Sequence, residues 1–113
     1  MLPSEIYLAK FPFGDVPGMK LRPVLLLSVP VGPVPEVLVA YISSVVPARL
    51  MASDLVLNPA APENRSTNLK TISTLRLHKL ATIHCSSLER YLGVLNSAAY
   101  AAAASKLKQF LQL

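Results

Sequence analysis

Arg22 and Ser43 are the residues whose types and surroundings suit work on an anion. Arg22 precedes Pro23 and the run Val24-Leu25-Leu26-Leu27, and Ser43-Ser44 closes the apolar run Val37 to Ile42. A guanidinium offers a planar fork of donors that meets two oxygens of a phosphate or carboxylate at once. A serine hydroxyl both gives and accepts a hydrogen bond. Taken singly, each residue has a plain reading: an arginine at the rim of a core, and a solvated serine at a strand end. Other chemistries find little support. The chain has no CxxC pair, no HExxH and no run of carboxylates, and Gly14 and Gly18 form no phosphate loop. Cys85, His78 and His84 fit no standard zinc spacing, so no metal site and no cofactor are expected. His84 and Cys85 are adjacent, so on a strand they face opposite ways and make no catalytic pair.

The elements that must position Arg22 and Ser43 follow from the apolar pattern. Four bulky apolar residues after a proline read as a short buried strand. Proline lacks the N–H of a ladder and suits the first residue of a strand, and it holds the preceding Arg22 extended. Strands are expected at about 5–11, 22–28, 36–43 and 54–57, with one long or bent strand from Ser73 to Ile83 and a short one ending at Val94-Leu95. Pro12 to Met19 and Val29 to Pro35 read as loops, the second a wide hairpin. Asn58 to Thr71 is the longest loop candidate, and Ser86 to Arg90 reads as a helical turn. Asn96 or Ser97 caps a terminal helix from Ala98 to Leu113. Its stripe is Tyr100, Ala103, Leu107, Phe110 and Leu111. If the second and third strands pair as an antiparallel hairpin, the start of one lies beside the end of the other. Arg22 and Ser43 then meet at one rim.

The composition bounds the partners. A chain of 113 residues is one domain, here 1–113. Hydrophobic residues make up 52% and charged residues 15%, which argues against disorder and leaves apolar surface to bury against a partner. A net charge of +5 favours a polyanion or an acidic peptide. A single cysteine excludes an intrachain disulfide and fits a reducing cytoplasm. Neither a signal peptide nor a membrane span is expected.

Six blocks in order carry a resemblance. They are Glu5-Ile6-Tyr7; Phe11-Pro12-Phe13-Gly14-Asp15; Lys20-Leu21-Arg22-Pro23 with the run to Ser28; Val39-Ala40-Tyr41-Ile42-Ser43-Ser44; Leu69-Lys70-Thr71 through Leu80; and Leu92-Gly93-Val94-Leu95. Together they resemble the MazF/PemK family of toxin–antitoxin endoribonucleases across nearly the whole chain. The resemblance implies a mainly β fold with a C-terminal helix, a small SH3-like barrel, and a homodimer. It implies sequence-specific cleavage of single-stranded RNA without a metal. The family's catalytic arginine falls on Arg22, and its catalytic threonine on Ser43. Lys20, Ser44, Lys70, Arg76 and Lys79 are candidates to track the RNA. A cognate antitoxin with an acidic segment would cover the groove.

The implied chemistry suits the residues. An RNA 2′-OH attacks its own adjacent phosphate, leaving a 2′,3′-cyclic phosphate and a 5′-OH end; DNA lacks that hydroxyl. The rival is a binding protein: a member without cleavage, or a CcdB-type toxin that meets gyrase through its terminal helix.

Overall fold

The computed structural model describes residues 1–11 and 20–113. The loop expected over Pro12 to Met19, with Asp15 in it, lies outside the described residues. Six strands form one antiparallel sheet: β1 (Glu5–Phe11), β2 (Lys20–Leu26), β3 (Glu36–Ser43), β4 (Asp54–Leu57), β5 (Ser73–His84) and β6 (Leu88–Val94). Their order is β4-β5-β3-β2-β1-β6, so β4 and β6 are the edges. One helix, α1 (Ser97–Leu111), ends the chain. The mainly β architecture with a terminal helix is as expected, and its sheet, though not closed, is compatible with a small barrel-like fold.

Alternation along the strands builds two cores. Ile6, Leu25, Ala40, Ile42, Leu75 and Leu77 bury into the first, which α1 covers with Ala103. Ala9, Val24, Leu26, Val37 and Val39 bury into the second, flanked by Tyr7, Ile83 and Leu88. Leu25 and its neighbours Val24 and Leu26 thus serve opposite faces, as the pleat requires. That is why β2 reads as an unbroken apolar run.

The hairpin from β2 to β3 is wide, as its prolines predict. Val31 and Glu36 exchange backbone bonds of 2.8 and 2.9 Å, and Gly32 turns the chain at φ 93°. Beyond β2, the Ser28 hydroxyl takes the place of a ladder carbonyl and accepts from the Leu38 N–H at 2.9 Å.

β5 departs from simple alternation. Ala40 pairs with Leu80 and Tyr41 with Arg76, so Leu77, His78 and Lys79 bulge out between them. Leu75 and Leu77 therefore enter the first core while Ile83 joins the second, although all three share one parity along the strand. A bulge re-aims the strand that carries it.

Two loop expectations are also revised. Pro62–Thr67 is a 3-10 helix with proline in its first turn, inside the stretch expected to be irregular. Cys85–Ser87 is a short 3-10 turn, and Leu88 to Arg90 belong to β6 rather than to a helical turn. Gly93 lets the first of these helices press on β6: a Cβ there would stand 2.6 Å from the Thr67 carbonyl oxygen. Asn96 is the N-cap of α1, accepting from the Ala99 N–H at 2.7 Å. The apolar stripe of α1 buries only in part. Ala103 is buried, Tyr100 and Leu107 are half-buried, and Phe110 and Leu111 are exposed.

Candidate active site

β2 and β3 pair as Val24 with Tyr41, Leu25 with Ala40 and Leu26 with Val39. Beyond Val24 and Tyr41 the ladder ends; Arg22 lies two residues earlier on β2 and Ser43 two residues later on β3. Both have the parity of the second core, Arg22 with Val24 and Leu26, Ser43 with Val37 and Val39. Arg22 is half-buried and stands opposite Ala9 of β1 on its other side. No carboxylate pairs with it among the described residues. The fork of donors that the sequence puts before Pro23 is thus uncommitted there.

Ser43 ends β3, half-buried and opposite Thr74 of β5. Its Oγ accepts from the Val45 N–H at 3.1 Å. The contact fixes the side chain and leaves the hydroxyl proton to give. Thr74 is fully buried, and its Oγ1 has no hydrogen-bond partner among the described residues. An unsatisfied buried hydroxyl costs on the order of 1–3 kcal/mol.

The other candidates divide. Lys20 is exposed at the start of β2, paired across to Phe11. Lys79 is exposed on the bulge of β5, its Nζ 5.8 Å from the ring centroid of Tyr41. Ser44 and Lys70 are exposed and line one cavity together. Arg76 has a partner the sequence did not reveal. Its Nε donates to the Asp54 Oδ1 at 3.0 Å, and the Asp54 side chain is fully buried.

That pair belongs to a network between β4 and β5. Asp54 also accepts from the Met51 N–H at 2.9 Å. Burial pushes the Asp54 carboxyl up, but the Met51 N–H and the Arg76 guanidinium together outweigh it and hold it below the ordinary range. The Nδ1 of His78 lies 2.8 Å from the Ser53 Oγ and 3.9 Å from the Asp54 Oδ1. Burial, then Arg76 and Lys79, lower the His78 pKa against the opposing pull of Asp54. The imidazole is therefore neutral at neutral pH, and its approach to Asp54 is no ion pair. Among the described residues, no three of His, Cys, Asp and Glu come together as metal ligands.

The sequence from residue 3 to residue 111 matches the family described as PemK-like, MazF-like toxins of type II toxin–antitoxin systems. The chain belongs to this family. Solved MazF structures share its fold. The Mycobacterium tuberculosis toxin MazF-mt6 is 25% identical, with a TM-score of 0.74 over 96% of this chain and 97% of that one. An endoribonuclease in complex with its cognate antitoxin, from a mycobacterial species, is 17% identical, with a TM-score of 0.72 over 100% and 96%. A MazE–MazF structure from Deinococcus radiodurans is 13% identical, with a TM-score of 0.67 over 99% and 95%. Among curated proteins, none matches the sequence significantly. Arg22 stands before Pro23 near the start of β2, an inner strand of the sheet. No helix among the described residues is long and apolar enough to cross a membrane.

Proposed function

We propose that this MazF/PemK toxin is a sequence-specific, metal-independent endoribonuclease acting on single-stranded RNA in the cytoplasm. The observation that carries the reading is the pairing of β2 and β3. Its register runs Arg22 and Ser43 to a common end of neighbouring strands, with the same parity. The 2′-oxygen of the substrate forms a bond to the adjacent phosphorus, and the bond from phosphorus to the 5′-oxygen breaks. One proton leaves the 2′-OH, one reaches the 5′-oxygen, and the cyclic phosphate stays on the upstream fragment. Charge gathers on the phosphoryl oxygens in the transition state, where the Arg22 fork meets two of them. The Ser43 hydroxyl donates to the phosphate and orients it. Lys20, Ser44, Lys70 and Lys79 track the backbone, and Arg76 adds the part of its fork that Asp54 does not occupy.

The same surface takes the acidic segment of a cognate antitoxin. A net charge of +5 supports this, as does the antitoxin-bound endoribonuclease of the same fold. RNA and antitoxin then compete, and salt weakens both.

The test is incubation of folded protein with single-stranded RNA in excess EDTA. Fragments ending in 2′,3′-cyclic phosphate and beginning with 5′-OH are expected, with DNA of the same sequence left whole. Intact RNA after long incubation overturns the reading.

A further inference from the structure

The Thr74 hydroxyl is a group beside the candidate site to which the proposed reaction gives no task. Thr74 is fully buried, so neither RNA nor bulk water reaches it. Its Oγ1 has no hydrogen-bond partner among the described residues. Buried polar groups left so are uncommon, because burial without a partner costs free energy. Valine has the same shape and suits a strand equally well, without that cost. A partner met in another state of the site accounts for the hydroxyl.

The register points to that partner. Thr74 is paired with Ser43 of β3 on one side and with Val56 of β4 on the other. Residues directly opposite in an antiparallel pair share a face, with Cβ atoms roughly 4.5–5.5 Å apart, near enough for Thr–Ser hydrogen bonds. Val56 has nothing to accept a proton. Asp54, two residues before Val56, spends its Oδ1 on the Arg76 Nε and its Oδ2 on the Met51 N–H. Arg76 offers donors only. Ser43 remains. Its Oγ has two lone pairs, and one takes the Val45 N–H at 3.1 Å. The second is open, and serine, unbranched at Cβ, turns about χ1 more freely than threonine.

We propose that Thr74 is a positioning residue for the Ser43 hydroxyl: in the RNA-bound site Thr74 donates to the Ser43 Oγ, and Ser43 donates to the phosphate. The proposal rests on the RNA-cleaving reading. With both lone pairs of Ser43 occupied, by the Val45 N–H and by Thr74, its proton is left for the substrate. A hydroxyl that accepts a hydrogen bond is also the stronger donor, since bonds in a chain polarise one another. Charge on the phosphoryl oxygens grows in the transition state, so a firmer donor favours that state over bound RNA. Burial of Thr74 keeps water from competing for the bond.

The experiment compares wild type with Thr74→Val, Thr74→Ser, Ser43→Ala and the Ser43→Ala/Thr74→Val double variant. Single-turnover cleavage of a short RNA is measured beside melting. Binding is followed with the same oligonucleotide carrying a 2′-deoxy residue at the cut position. Thr74→Val drops a hydroxyl that the free protein leaves unpaired, so it melts at or above the wild-type temperature. It binds as wild type does and cleaves about five- to tenfold more slowly, the scale of one hydrogen bond. Thr74→Ser keeps the hydroxyl and loses a buried methyl, so it melts lower and recovers most of the rate. Stability and rate then run in opposite orders, which a merely structural role does not produce. On the Ser43→Ala background, Thr74→Val slows cleavage no further. Thr74→Val at the wild-type rate overturns the proposal. So do rates that follow melting across the Val and Ser variants, and so does a further loss in the double variant, which makes Thr74 act apart from Ser43. If wild type leaves RNA whole, the cleavage reading fails and takes this role with it. A cleaving wild type with an unaffected Thr74→Val removes the role of Thr74 alone.

Discussion

Ser43 spends one lone pair on the Val45 N–H and keeps its proton to give. On the proposed mechanism, that proton is what the phosphate needs. Ser43→Ala lowers single-turnover cleavage by about 10²–10³, the scale of one lost transition-state donor. Ser43→Thr restores the family's residue and holds the rate near wild type. Comparing the three rates on folded protein checks the role; an Ala variant at full rate removes it. Ser43 and Arg22 were legible because both flank apolar runs that name their own ends. The partner of Arg76 was not: Asp54 is 22 residues away, and only the pairing of β4 with β5 brings the two together.

At the scale of elements, apolar runs and punctuation by proline and glycine located the strands to within a few residues. The bulge of β5 escaped because three inserted residues leave the composition of the strand unchanged while shifting its parity. The turn at 62–67 escaped because its bonds close over three residues and leave no periodic stripe, while the turn expected at 86–90 is shorter and starts one residue earlier, at 85–87. The β4–β5 network makes a pH prediction. A group held below its unfolded pKa contributes stability that is present above the unfolded value and is lost as pH falls toward and through the folded one. His78 is lowered, so its contribution begins to fade below the unfolded value of about 6.5. Asp54 is lowered too, and its contribution fades below about 3.9. Urea denaturation at pH 7.5 and pH 5 should show lower stability at pH 5. His78→Gln should flatten that difference and leave the strongly acidic loss. A wild type equally stable at both pH values contradicts the network.

At the scale of the whole molecule, two cores account for the buried apolar residues, but a high apolar content leaves more. Val45, Val46, Leu50, Met51 and Val56 are exposed on the segment leading to β4 and along it, and β4 is a sheet edge. Phe110 and Leu111 end the helix in solvent. Exposed apolar surface on this scale marks an interaction site, and an unpaired edge invites one. We propose that a homodimer covers it; sedimentation at micromolar concentration should then give twice the chain mass of 12.2 kDa. A clean monomer under those conditions counts against it. The overall charge and the apolar surplus were plain in the sequence, whereas the face that carries the surplus needed the strand order.

The account turns on a planar fork at Arg22, and Arg22→Lys keeps its charge while removing that geometry. Arg22 is half-buried at the edge of the second core, so the exchange should leave stability within about 1 kcal/mol of wild type. The deciding measurement is single-turnover cleavage of one RNA by wild type and Arg22→Lys in excess EDTA, with melting followed on the same preparations. The account predicts matched melting, modestly weaker binding and cleavage slower by about 10²–10³. Cleavage by folded Arg22→Lys at the wild-type rate would contradict it.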